Sequence, residues 1–141
     1  MTEASKKRYA KSERGLASRA ASERRRRQRA VLRCLRAYGG VKPVCFCCGE
    51  NDIRFLTLDH VNNDGSKHRA LLGCKPGSKM AFKLIKLNFP TDFPIQVACF
   101  NCNLGRERNG TVCPHKCPPA DIPTGKTHRR KKPPYAQCIP A

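Results

Sequence analysis

The chain has 141 residues, room for one small domain with extensions. It carries 29 Lys and Arg against 10 Asp and Glu, a formal charge of +19, which points to a polyanionic partner, nucleic acid ahead of an anionic membrane surface. No apolar run is long enough to span a bilayer, and the polar opening MTEASKKRYA does not read as a signal peptide. The expectation is therefore no membrane partner and a reducing, cytoplasmic compartment.

Ten cysteines would form a disulfide scaffold in a small secreted protein, but in a reducing compartment paired CxxC spacings mean zinc. With 3 Tyr, 6 Phe and no Trp, the chain cannot build a large core, so a metal staple is physically expected.

Residues 1–40 read as a basic helical arm. Residues 4–38 are rich in Ala, Arg, Lys, Ser and Glu and contain no Pro, which predicts one helix, and Gly39-Gly40 supplies its stop. The arm holds 13 Lys and Arg against 3 Glu, more than half of the excess charge, including the run Arg24, Arg25, Arg26 and Arg27. Val31, Leu32 and Leu35 fall near its end, so only that end has a face to dock. The rest should order on nucleic acid.

Residues 41–117 read as the compact domain. Residues 55–58 form a short apolar run that ends at Asp59-His60 and predicts a strand. Residues 61–77, studded with Asn, Asp, Gly and Pro, predict a loop. Ser78 can cap a helix over 79–87, where Ala81, Leu84 and Ile85 share a face. Residues 95–98 predict a second strand and 103–108 a short helix. Residues 118–141, with six prolines and the basic run 129–132, read as a disordered basic tail.

Two CxxC pairs stand out, Cys45/Cys48 followed by Gly49, and Cys99/Cys102. A two-residue spacer lets both sulfurs of a pair face one point, and two pairs give the four thiolates of a closed, structural zinc. Cys47 lies between the ligands that this spacing selects. Cys113, His115 and Cys117 are candidates for part of a second metal site.

Between the pairs lies LDHVNNDGSKHR, and the second pair leads into QVACFNCNLGR and then NGTVCPH. Over residues 44–117 this pattern resembles the HNH endonuclease family, specifically its small phage-encoded members. The resemblance implies an α+β fold of the ββα-metal type, stapled by the four-cysteine zinc, cutting DNA in a host bacterial cytoplasm. It assigns Asp59 and Asn103 as ligands of a catalytic Mg2+ or Mn2+, His60 as the general base and Arg106 as the basic group near the scissile phosphate. Those residue types suit phosphodiester hydrolysis, which needs an activated water and a neutralised phosphate.

The family's central Asn is missing, because Pro94 stands about there, which leaves Asn62 or Asn63 to replace it. His68 and Arg69 are candidates either to contact phosphate or to orient the loop. The rival readings are a non-catalytic zinc-knuckle binder of nucleic acid and an RNA-binding protein of ribosomal type. Neither has a use for the Asp59, His60, Asn103 set.

Overall fold

A computed structural model describes residues 2–116. The expected basic tail and Cys117 lie outside the described residues. The N-terminal stretch is helical as its composition demands, but it forms two helices, α1 (Glu3–Lys11) and α2 (Glu13–Gly39). Ser12 is the reason that the single expected helix breaks. Its backbone is extended, its Oγ donates to the Tyr9 carbonyl at 2.7 Å, and the same oxygen accepts from the Gly15 N–H at 3.2 Å. A serine hydroxyl that competes for backbone partners favours a cap over a helix interior.

The strands are β1 (Leu56–His60) and β2 (Ile95–Cys99). They pair antiparallel, with Asp59 opposite Gln96 and His60 opposite Ile95. Between them lie α3 (Gly65–Leu72) and α4 (Ser78–Lys86), and α5 (Phe100–Arg108) follows β2 directly. The α3 helix corrects the expected loop over 61–77. Its eight residues lack an apolar period, and the residue it buries is His68, a polar one. The Asn-Asp-Gly punctuation that reads as loop instead supplies its start, with Asp64 at the N-cap, and Gly73 in the left-handed region ends it. The helix at 78–86 stands where expected, although its cap is Gly77 and not Ser78.

The described residues are thus α+β, with a two-stranded antiparallel sheet and two small apolar clusters. Leu35, Leu56, Val97 and Ala98 gather with Cys45, Cys99, Cys102 and Cys113 on one side. Ala30, Cys34, Met80, Ala81 and Leu84 gather on the other. Val31 and Leu58 pack against both. The last third of α2 therefore belongs to the core, and the basic arm runs without a break into the compact region. Arg26 lies over the Phe82 ring at 4.6 Å and Arg33 over Phe89 at 5.7 Å, so the cations of α2 also hold α4 and the turn that follows it. Among the described residues no helix is long and apolar enough to cross a membrane.

Candidate metal centre and polar cleft

The knuckles meet because β2 ends where α5 begins. Cys99 closes the strand and caps the helix, with its Sγ accepting from the Cys102 N–H at 3.4 Å. The first knuckle is pinned to the same strand by the Phe46 N–H, which donates to the Val97 carbonyl at 2.9 Å. Gly49, at φ +75°, turns the chain there, and its N–H donates to the Cys45 carbonyl at 3.1 Å. As a result the sulfurs of Cys45, Cys48, Cys99 and Cys102 all lie within 4.8 Å of one another, a group that could hold a structural zinc.

Burial pushes the Cys45 thiol up, but backbone donors at Cys48, Cys99 and Cys47 outweigh it and hold the group down at about 6. Cys102 goes the other way. Burial, then Cys99, Cys113, Cys45 and Cys48 crowding its sulfur, push its thiol well up. Thiolates packed this closely coexist only around a cation, and the donor set fits zinc. All eight cysteines among the described residues are free. Cys113 and His115 also reach this region and lie against Cys47 and Cys102.

On the other side of α5, the end of β1 opens a polar cleft of about 280 Å³. Asp59, His60, Asn63, Arg69, Asn103 and Glu107 are among the residues that line it. Asp59 is buried and turns toward α5. Its Oδ2 accepts from the Nε2 of its cross-strand partner Gln96 at 2.8 Å and from Arg106 Nη1 in a buried ion pair. Oδ1 takes neither of these bonds.

His60, also buried, turns toward α3, where its Nε2 lies 2.8 Å from His68 Nδ1. The His68 ring stacks on Phe93 at 4.2 Å, and the two planes are 4° apart. Burial, and after it the neighbouring His68, lower the His60 pKa from its ordinary value. Burial does the same to His68. The close packing requires glycine at 65, since a Cβ there would lie 2.8 Å from His60 Nδ1 and 3.1 Å from Arg69 Nη1.

The cleft brings together Asp59, His60, Asn103 and Arg69, residues separated by up to 44 positions in the chain. No family model, curated protein or solved structure matches this chain. Two residues stand away from the phosphate contact offered for them. Arg106 is interior, with its guanidinium donating to Asp59, to the Val61 carbonyl at 2.8 Å and to the Thr111 carbonyl at 2.9 Å, so it does not face the cleft. His68 is interior as well, with 3% of its surface exposed, and holds His60 without access to a phosphate.

Of the two asparagines offered as replacements for the missing central Asn, Asn63 lines the cleft, at φ +55°, and its N–H donates to the His60 carbonyl at 2.9 Å. Glu107 escaped the sequence reading. Its signal is the i,i+4 spacing from Asn103, which puts both on one face of α5. Arg24, Arg25, Arg26 and Arg27 are exposed along α2, where Arg27 pairs with Glu23 at 3.1 Å.

Proposed function

We propose that the polar cleft is the active site of a metal-dependent DNA endonuclease of the HNH, ββα-metal type. The observation that carries this reading is the convergence of Asp59, His60 and Asn103 in one cleft at the junction of β1 and α5. In the family that the sequence resembles, two strands and a following helix grip one divalent metal. The donor set fits a hard divalent ion, with a carboxylate on Asp59, an amide oxygen on Asn103 and Glu107 one turn further along. A bound Mg2+ or Mn2+ would neutralise charge on the phosphate and on the leaving oxygen.

The chain's own groups account for the rest. In the Nε2–H tautomer His60 donates to His68 Nδ1, and its Nδ1 is then left to accept the proton of an attacking water. Phe93 locks His68 by stacking, so the base is held from behind. Arg106 positions the Asp59 carboxylate by tying down Oδ2. Arg69, at the cleft wall, replaces Arg106 as the cation that meets the phosphate. The four-cysteine zinc, with no open coordination position, is structural. The basic α2 surface would follow the DNA backbone, adding affinity and little sequence preference.

The test is a split between chemistry and binding. His60→Ala should lower single-turnover cleavage by about 10²–10⁴-fold. Its melting temperature should fall, because His60 is buried and its loss leaves the buried His68 without its partner. Its DNA affinity should stay near that of the unaltered protein when both are measured folded, below that lowered melting temperature. A non-catalytic knuckle protein would show no cleavage to lose, and cleavage by His60→Ala at the original rate would refute the assignment of the base.

A further inference from the structure

We infer that the chain holds a second zinc ion, on Cys47, Cys102, Cys113 and His115, and that the Cys102 thiolate bridges it to the zinc of the knuckles. Cys47 is not needed by the first quartet, and its sulfur groups with Cys102 and with Cys113 and His115 of the segment after α5. There His115 Nδ1 lies 3.2 Å from Cys102 Sγ, 3.6 Å from Cys113 Sγ and 3.9 Å from Cys47 Sγ. A tetrahedral zinc with Zn–S near 2.3 Å and Zn–N near 2.05 Å has S···N edges of about 3.6 Å. The three observed separations straddle that value. All four ligand atoms lie within 4.8 Å of one another, as do those of the first quartet, and Cys102 is common to both.

The fold builds this second group deliberately. After α5 the chain reverses through Gly110 at φ +63° and Thr111 at φ +82°. Arg106 Nε holds the turn at the Thr111 carbonyl, and the Asn109 side-chain amide donates to the Val112 carbonyl at 3.1 Å. The returning segment can lie against α5 only because residue 105 is glycine, where a Cβ would meet the Pro114 ring at 2.7 Å. That contact brings Cys113 and His115 back over Cys102, whose side chain is fully buried.

Seven side chains then serve two ions, as six thiolates and one neutral imidazole bound through Nδ1. A shared thiolate gives each zinc four ligands, and the bridging sulfur is the one most crowded by other cysteines. The pair of ions ties residues 113–115 to the first knuckle, closing α5 at both ends. The inference builds on the knuckle zinc but not on the nuclease reading.

The experiment measures metal and not cleavage. The full chain, purified without chelator, is weighed by native mass spectrometry and assayed for zinc by elemental analysis. The expected result is two zinc ions per chain, falling to one in Cys47→Ser and in His115→Gln, with the knuckle zinc retained. One ion in the unaltered chain overturns the inference, and so do two ions remaining in both variants. No zinc at all would overturn it together with the knuckle site.

If the variants do not fold, cobalt exchanged into the unaltered chain decides the matter. Two cobalt ions sharing a thiolate couple magnetically, so the paramagnetic resonance per cobalt should fall as the second site fills. Two uncoupled cobalt signals would refute the bridge.

Discussion

Replacing Arg106 with methionine removes a guanidinium that serves three acceptors at once, Asp59 Oδ2 and the carbonyls of Val61 and Thr111. Methionine keeps much of the volume and none of the charge. The side chains of Arg106 and Asp59 are 8% and 5% exposed, so solvent cannot take over the role of the missing cation. Breaking one side of a buried pair costs about 3–5 kcal/mol, because the remaining charge is left without a partner. At roughly 4 °C per kcal/mol for a domain of this size, the melting temperature should fall by about 12–20 °C. Adding Asp59→Asn to the same variant removes the stranded charge and should restore most of that loss. Thermal melts of the two single variants and the double variant form the cycle that measures the coupling. If Arg106 instead reached out to a phosphate, Arg106→Met would melt at the original temperature and lose only DNA affinity. That result would refute the placement of this residue.

Other perturbations probe the remaining layers. Leu84→Ala empties a fully buried position between α2 and α4 and should cost about 2–5 kcal/mol in a denaturant titration. Changing Arg24, Arg25, Arg26 and Arg27 to Gln should flatten the fall of log affinity with log salt by about 0.9 for each arginine that meets a phosphate, or about 1.8 if Arg26 stays on Phe82 and Arg27 on Glu23. An unchanged slope would assign the run another partner. The cleavage rate should rise with pH as His60 loses its proton. Burial and His68 both disfavour the charged ring, so the rate should level off below the usual histidine range and stay flat through neutrality. A rate still climbing above pH 7.5 would mean that another group is the base.

Much of this molecule can be read from spacing. The two CxxC pairs and the strand-ending Asp59-His60 are local patterns, and their geometry follows from a turn and a strand end. What spacing could not tell is which way a side chain turns once helices surround it. Arg106 looks like a free cation three residues past Asn103, yet the roughly 100° of rotation between residues 106 and 107 separates the inner side of α5 from the cleft, and Arg106 lies on the inner side. His68 lies in a polar stretch that reads as loop, but α3 carries it under His60. Arg106 meets Asp59 across 47 positions, and His68 meets His60 across 8 but is held there by Phe93, which lies beyond α4. The break at Ser12 is the opposite case. It is purely local, but an Ala- and Arg-rich surround masks the signal. The grouping of Cys47 with Cys102, Cys113 and His115 needed the chain reversal after α5, which the Asn-Gly-Thr stretch announces without revealing where it leads.

The central claim is that the cleft at the end of β1 hydrolyses DNA with a divalent cation. The most direct measurement incubates supercoiled plasmid with the full chain, its zinc intact, first without magnesium and then with millimolar magnesium added back. A chelator is unsuitable as the control, because stripping zinc would unfold the knuckles and abolish activity for the wrong reason. The account predicts intact supercoiled plasmid without magnesium, nicked or linear product once it is added, and no product from His60→Ala under either condition. Plasmid bound yet uncut by the folded, zinc-loaded protein at every magnesium or manganese concentration would contradict it and leave a nucleic-acid-binding protein in its place.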